Sequence, residues 1–355
     1  MNKQLGRMIR TAETPETTTG CRNTTGSSAD TTACSVITTW RANIKSGGYH
    51  MVDTDWYVLV LGIESLGGPI ILSDGLEIRP LASTLSVFDL ANAGASGFKE
   101  WAVLEPVTSL CTVEIFSRQQ QGSTTGYDTL NRAWLATTLL LLRGYNRIHG
   151  IACSSYSWSA IAGSALRPKS LYGDQNNEAS YRREENLPKF QGGLLDYHHH
   201  SLRNIEPCRI DSKDSEWIAI HFESCARIAS ESNSFRFALE AAEDWRFAKE
   251  SRSAVARIWS GIEAIFGISS ELVYRVSLYS ASLLVERGEA RKTKFDKIKR
   301  LYSLRSKVIH GEQVSDEDIH KCLTGSFYLL RDLIVYSIEQ GRHISDHEID
   351  DAVFG

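Results

Sequence analysis

The chain has 355 residues, 42% of them hydrophobic and 23% charged, a composition that is typical of folded globular proteins and excludes collagen-like or wholly disordered chains. This length is sufficient for two domains of ordinary size. The formal net charge of −4 excludes a uniformly basic nucleic-acid-binding protein, although a whole-chain sum can conceal a local basic patch.

The sequence also predicts the compartment. The longest apolar stretch, residues 134–142, ends at Arg143 and has about half of the length that a bilayer helix needs. No apolar run follows the basic residues at the N-terminus, so we expect no secretory signal. The seven cysteines are scattered and form no CxxC pair. We therefore expect a cytoplasmic protein with reduced thiols and no membrane partner.

Residues 1–48 are rich in short polar side chains. Between residues 11 and 39, 14 of 29 positions are Ser or Thr, and few side chains could contribute to a core. Such a segment cannot bury enough apolar surface to offset the entropy lost on folding. We expect it to be disordered, with folded structure beginning near Tyr49.

Residues 49–212 combine strand and helix patterns. Strands are predicted in segments 56–66 and 68–81, and a pair of strands in segment 101–116. Segment 129–144 is predicted to be a buried helix. Ser73-Asp74-Gly75 predicts a tight turn, and Gly144 predicts the end of the helix. We interpret this part as an α+β domain that binds a trigger ligand or selects a substrate.

From residue 213 the pattern is helical, with apolar residues three and four positions apart. Four glycines stand where helices commonly end, because glycine adopts the left-handed conformation that closes a helix. The helices that they would close are 251–266, 271–287, 291–310 and 316–340, before Gly267, Gly288, Gly311 and Gly341. The sequence thus predicts an α+β protein in which a mixed domain precedes an all-α bundle of about five helices, residues 213–355.

The predicted helix 291–310 carries the candidate chemistry. Its apolar stripe includes Ile298, Tyr302 and Ile309, and Arg305 lies on the same stripe. An arginine that faces inward cannot be buried unpaired without a large desolvation cost. Arg305 must therefore meet a carboxylate, a partner chain or an anionic ligand.

The same helix is strongly basic. Residues 291–307 contain eight Lys or Arg against one acid, Asp296. Such a stripe attracts phosphate backbones irrespective of their sequence. The lysines predicted to bind RNA are Lys294, Lys297, Lys299 and Lys307. A basic run is also typical of a solvated helix face, and this interpretation stays open.

His310 is the last residue before Gly311. Histidine is the side chain that most readily exchanges protons near neutral pH. Five residues of a straight helix rotate by about 500°, which leaves Arg305 and His310 about 140° apart. The two side chains converge only if the last turn unwinds or if a second chain completes the site. A symmetric dimer that pairs this helix with its own copy would bring two Arg/His sets together.

Three segments occur in a distinctive order. They are WSGIEAIFG (259–267), ELVYRVSLYSASLL (271–284) and LYSLRSKVIHG (301–311). The last is similar to the signature of the HEPN domain family, an Arg followed a few residues later by a His, and the first two resemble segments that precede that signature in the Apea-like branch. The resemblance covers about residues 235–340 and does not extend to residues 1–210.

The resemblance implies a metal-independent ribonuclease of a toxin, antiphage-defence or RNA-processing system. It implies a homodimer whose active site forms between the HEPN helices, RNA as substrate, and no cofactor. Carried onto this chain, His310 is the acid or base and Arg305 the clamp on the phosphate. Active members often have Asn, Asp or His after the Arg, where this chain has Ser306. A non-catalytic module that binds RNA, a nucleotide or a protein partner is therefore the alternative.

The neighbours of the pair have structural interpretations as well. Glu263 and Glu271 are expected to pair with Arg305 or Arg275 inside the bundle, a more common role for such carboxylates than direct participation in cleavage. Tyr302 is expected in the core with its hydroxyl at the edge of the site. A third hypothesis makes Arg305 and His310 purely structural, as ties across the dimer.

The sequence lacks the motifs of several other enzyme classes. It contains no GxGxxG, Walker loop, HExxH or nucleophile elbow, which argues against nucleotide hydrolysis and zinc peptidase chemistry. His198, His199 and His200 are expected in a loop, since three successive histidines point in different directions. We expect no metal.

Overall fold

The computed structural model describes residues 55–92, 106–119, 129–162, 192–194, 205–268 and 270–355. All of these residues belong to one compact unit, which spans Thr38–Gly355. The predictions of a disordered segment at 1–48 and of a loop at His198–His200 lie outside the described residues.

Among the described residues, six strands form an antiparallel sheet. They are β1 (Trp56–Leu61), β2 (Ile70–Ser73), β3 (Leu76–Pro80), β4 (Val113–Ser117), β5 (His149–Ser154) and β6 (Gly192–Leu194). Their order across the sheet is β2-β3-β4-β1-β5-β6. The strands predicted within 56–66 and 68–81 are confirmed, and the predicted turn at Asp74-Gly75 joins β2 to β3.

The strand pair predicted for 101–116 is wrong in the part that the structure describes. Residues 106–108 form a helical turn, and β4 is the strand that follows. Pro106 explains the difference, because proline has no N–H for a strand ladder and a fixed φ that suits the first turn of a helix.

Helices α1 (Val87–Asn92), α2 (Thr129–Leu142) and α3 (Trp158–Ile161) accompany the sheet. Helix α2 is buried along nearly its whole length, as its apolar sequence predicts. It ends two residues before Gly144, which has the positive φ of +106 expected of a terminating glycine.

The C-terminal part of the chain is helical. Its helices are α4 (Ser212–Glu231), α5 (Asn233–Asp244), α6 (Ser251–Phe266), α7 (Leu272–Leu284), α8 (Glu289–His310), α9 (Asp316–Gln340) and α10 (Asp346–Phe354). The predicted helix ends before Gly267, Gly311 and Gly341 are confirmed, since each glycine is the left-handed cap of its helix. The protein is therefore an α+β protein, as predicted. None of the helices described here combines the length and the apolarity that crossing a bilayer requires.

The helix end predicted at Gly288 is wrong. Helix α7 stops at Leu284, because Val285 is extended with φ −141 and ψ 133. Gly288, with φ +141, instead precedes α8 and lets the chain turn into that helix. A glycine that precedes a helix and one that follows a helix are alike in sequence, and only their surroundings distinguish them.

One continuous core joins the sheet to the helices. Val58 of β1, Trp134 of α2, Phe222 of α4 and Trp259 of α6 are buried in the same hydrophobic cluster. The opposite face of the sheet is covered by a second cluster that includes Trp158 of α3. The two predicted domains are therefore packed against each other, and their division at residue 212 remains a prediction about independent folding.

Arg246 connects the helical part to the sheet. It lies in the 3-10 turn Trp245–Phe247, and its side chain is only 7% exposed. Its guanidinium pairs with the buried carboxylate of Glu243 and donates hydrogen bonds to the carbonyls of Asn146 (3.1 Å) and Ile148 (3.0 Å), directly before β5. A buried cation is tolerated here because fixed acceptors satisfy it from both sides. We call this arrangement the Arg246 clamp.

Arg246→Met tests the clamp. The change leaves the Glu243 carboxylate buried without its cation, so we expect the free energy of unfolding to fall by about 3–5 kcal/mol in urea titrations. Arg147→Met is the control, because it removes an ion pair with Glu206 in which both side chains are exposed, and it should cost less than about 1 kcal/mol. The clamp is contradicted if the two variants are equally stable.

Candidate functional site

Helix α8 is regular up to His310. The N–H of Gly311 lies 3.4 Å from the carbonyl oxygen of Val308, and the N–H of Glu312 donates to the carbonyl of Lys307 at 3.1 Å. With Gly311 at φ +80, this is the hydrogen-bond pattern of a Schellman cap. Unwinding of the last turn, one of the two ways in which Arg305 and His310 were expected to converge, is therefore not observed.

Aromatic packing fixes the inward face of α8. Tyr302 is buried against Trp259 of α6, with ring centroids 5.0 Å apart in an edge-to-face arrangement. The indole Nε1 of Trp259 donates to the hydroxyl of Ser326 on α9 at 2.8 Å. Ile298 and Val308 of α8 are also buried. Three helices thus meet at Trp259, and Tyr302 is a core residue as predicted.

Arg305 points into this packed region and meets Glu263. Its Nη2 lies 3.2 Å from Oε1 of Glu263, and its Nη1 lies 3.5 Å from the hydroxyl oxygen of Tyr302. The guanidinium carbon also lies 5.0 Å from the centroid of the Tyr302 ring, within the range of a cation–π contact. The Nε of Arg305 is buried and has no partner among the described residues. The expected pairing of Arg305 with Glu263 is confirmed. Glu271 pairs with Arg275 at 3.4 Å, as was also expected, but with side chains 72% and 40% exposed this pair is not inside the bundle.

Burial changes the acid–base properties of these neighbours. Desolvation raises the pKa of Glu263, and the attraction of Arg305 offsets only part of this rise. Desolvation likewise raises the pKa of the Tyr302 phenol, so its hydroxyl keeps its proton at neutral pH and can donate it in a hydrogen bond.

Arg305 and His310 are not brought together within one chain. Side chains on a helix lean toward its N-terminus, and the Arg305 guanidinium accordingly lies beside Tyr302, one turn earlier. His310 stands about 7.5 Å further along the axis and about 140° around it. It is exposed and has no hydrogen-bond or ion-pair partner within the described ranges. A site that uses both residues needs a second chain.

The four predicted RNA-binding lysines divide into two groups. Lys294 is half-buried and pairs at 3.5 Å with Asp332 of α9, a carboxylate that also pairs with Arg331 at 2.9 Å. Lys297, Lys299 and Lys307 are exposed, and in the part of the chain described here no carboxylate pairs with them. The structure therefore leaves three of the four available to an anionic partner. Ser306, the residue that follows Arg305, is partly buried.

Of the three exposed lysines, Lys299 and Lys307 lie on the side of α8 where His310 lies. Around the helix axis, Lys299 is about 20° and Lys307 about 60° from His310, whereas Lys297 is about 140° away. Lys292, which sequence reasoning did not single out, lies in the same direction as His310, and it too is exposed. Lys292 and His310 are 18 residues apart, which is five full turns of an α-helix, and this spacing in the sequence would have identified Lys292 as a member of the same face. We call Lys292, Lys299, Lys307 and His310 the outer basic face of α8.

Across the described residues, no group of three or more His, Cys, Asp or Glu side chains is placed to hold a metal ion. A scan against protein-family models, a search of curated proteins and a search of solved structures gave no match to this chain. The geometry of α6, α8 and α9 therefore carries the functional inference.

Replacing Arg305 should make stability depend on pH through Glu263. In Arg305→Met, Glu263 loses its cation, so its pKa should rise further above the ordinary value. A carboxyl group with a raised pKa contributes stability that is complete below its unfolded pKa and is lost as the pH rises through the folded pKa. We expect the loss of unfolding free energy in the variant to be about 1–2 kcal/mol larger near pH 8 than near pH 4.

The control for this experiment is Arg275→Met, whose partner Glu271 is 72% exposed. Urea titrations of both variants and the wild type at the two pH values give the comparison. A loss in Arg305→Met that is the same at both pH values would contradict a functional ion pair between Arg305 and Glu263.

Proposed function

We propose that this protein is a metal-independent endoribonuclease of the cytoplasm, active as a homodimer through HEPN-like helices. The observation that carries the proposal is the exposed His310 at the end of the outer basic face of α8, on the same helix as Arg305. An unpaired imidazole beside exposed cations is suited to proton transfer on a polyanion. The resemblance of 301–311 to the HEPN signature agrees with this chemistry.

The proposed reaction is attack by a ribose 2′-oxygen on the adjacent phosphorus. His310 removes the proton of the 2′-hydroxyl, the new O2′–P bond forms, and the bond from phosphorus to O5′ breaks. The departing O5′ takes up a proton from an imidazolium in the site. The products are a 2′,3′-cyclic phosphate and a 5′-hydroxyl, with no redox change and no metal required.

Arg305 is proposed to stabilise the extra negative charge that develops on the phosphorane. A guanidinium presents five N–H donors in a planar fork, and Glu263 occupies only part of that fork at 3.2 Å. The Arg305 side chain is 20% exposed, so part of the fork can meet a phosphate at the surface. Such donors are effective in a site with little water, where electrostatic interactions are strong.

The homodimer is part of the proposal because one chain separates the two groups. If α8 packs against its own copy across a two-fold axis, Arg305 of one chain can approach His310 of the other, and two equivalent sites result. The N-terminal α+β part would then bind a trigger or select the RNA. The resemblance favours antiphage defence or a toxin-like system as the setting.

A second candidate is a module that binds RNA, a nucleotide or a protein without cleaving. The observation in its favour is that Glu263 already pairs with Arg305 inside the chain. An arginine satisfied in this way can be purely structural, and the lysines of α8 would then act alone.

His310→Ala separates the enzyme from the binding module. The variant removes the proton-transfer group and keeps Arg305, so we expect cleavage of total RNA to fall by about 10²-fold or more while RNA affinity changes little. His320→Ala is the matched control, because His320 is exposed on the neighbouring helix α9, and it should cleave as wild type does. Excess chelator should not reduce cleavage, and the products should carry 2′,3′-cyclic phosphate and 5′-hydroxyl ends.

Two results would contradict the nuclease. Wild-type protein that binds RNA and never cleaves it would establish the binding module. Activity that disappears in chelator, or leaves 5′-phosphate ends, would indicate a metal-dependent mechanism.

Mixing two inactive variants tests the composite site. In a heterodimer of Arg305→Ala and His310→Ala chains, one site has both changes and the other has intact Arg305 and intact His310. After denaturation and refolding together at equal amounts, activity should return to about a quarter of the wild-type value, since half of the dimers are mixed and each has one of its two sites. Activity no higher than that of the separate variants would show that Arg305 and His310 act within one chain.

A further inference from the structure

Arg252 lies against the end of helix α8. It belongs to the first turn of α6, and a Cβ added to Gly311 would lie 3.0 Å from its Nη1 and 3.9 Å from its Cζ. The guanidinium therefore occupies the space that the absence of a side chain leaves at Gly311. Arg252 itself is exposed, and within the described ranges it has no hydrogen bond, ion pair or ring contact.

The packing of α6 against α8 explains this position. Trp259 of α6 contacts Tyr302 of α8. From that contact, Arg252 lies toward the N-terminus of α6 and Gly311 toward the C-terminus of α8, so the two helices are antiparallel. This direction places Arg252 at the end of α8 where His310 lies. The Arg305 guanidinium lies beside Tyr302 instead, at the middle of the contact.

Arg252 adds to the exposed cations at the C-terminal end of α8. Lys299, Lys307 and His310 are exposed along α8, and Arg252 adds a cation directly after Gly311. The acid nearest to Arg252 in sequence is Glu250, and the acid nearest to Gly311 is Glu312. Both are exposed, and neither forms an ion pair with Arg252. An unneutralised guanidinium at the end of a helix that carries exposed lysines is suited to binding a phosphate of a nucleic acid.

We propose that Arg252 is an RNA-binding residue that holds a backbone phosphate beside His310, an inference that rests on the proposed ribonuclease function. The strand would follow the outer basic face of α8 and pass over the start of α6. Gly311 contributes to this arrangement in two ways. It closes α8 with a left-handed φ of +80, and its lack of a side chain leaves room for the guanidinium of Arg252.

A structural role makes a different prediction. A cation near the C-terminus of a helix interacts favourably with the helix dipole. If this were the whole role of Arg252, its removal would lower the stability of the protein and leave its affinity for RNA unchanged.

The test measures RNA affinity in the full-length chain. The probe is a fluorescein-labelled single-stranded RNA of mixed sequence, and His310→Ala is present throughout so that the probe is not cut. Adding Arg252→Ala should weaken binding about fivefold or more and reduce the slope of log K against log salt by about 0.7, the contribution of one phosphate contact to a single strand. Arg252→Lys should retain most of the affinity. Lys213→Ala, at an exposed lysine in the first turn of α4, should change neither quantity.

Each outcome decides between roles. Unchanged affinity and salt slope in Arg252→Ala, with probe binding intact in the parent, would overturn this inference and leave the proposed nuclease standing. A lower thermal unfolding temperature without loss of RNA affinity would assign Arg252 to the helix terminus. Failure of the parent and of the wild type to bind the probe would overturn the proposed function, and the role of Arg252 with it.

Discussion

A guanidinium inside a helical bundle needs acceptors, and the arrangement of the candidate site follows from that requirement at Arg305. The inward stripe of α8 directs this side chain to Glu263 and Tyr302. Because α8 remains helical up to Gly311, the same geometry places His310 on the opposite, exposed side. The packing that stabilises α8 therefore separates, within one chain, the two groups that the proposed chemistry combines. The homodimer proposed above would bring the two groups together again.

The fold could be predicted from the sequence where the signal is local. Glycines closed α6, α8 and α9 as expected, and strand runs with a turn between them identified β2 and β3. The order of strands could not be predicted, because pairing β1 with both β4 and β5 depends on contacts distant in sequence. Helix α10 was overlooked although its signal is present. The hydroxyl of Ser345 accepts the N–H of Glu348, and a serine followed three residues later by glutamate is a common helix start.

The candidate site was predictable to a similar extent. The spacing of Arg305 relative to Tyr302 showed that it faces inward, and the cost of burying a charge then required a partner such as Glu263. The pairing of Lys294 with Asp332 could not be foreseen, since nothing in the sequence states that α8 and α9 are neighbours at that level. The position of Arg252 was hidden for the same reason. Periodicity gives the face on which a residue lies, whereas its partner depends on the tertiary arrangement.

Because the sheet and the helices share one core, the chain cannot be divided at residue 212 into fragments without exposing that core. Helix α4 packs on β2 and α2 as well as on α5 and α9, and the guanidinium of Arg132 lies 4.8 Å from the centroid of the Phe222 ring between α2 and α4. A fragment that begins at residue 213 would keep the outer basic face but would expose Phe222 and its apolar neighbours to water. Newly exposed apolar surface promotes association that is unrelated to α8. A truncated bundle that forms oligomers would for this reason be a poor guide to the assembly of the protein, and its stoichiometry is best measured on the intact polypeptide.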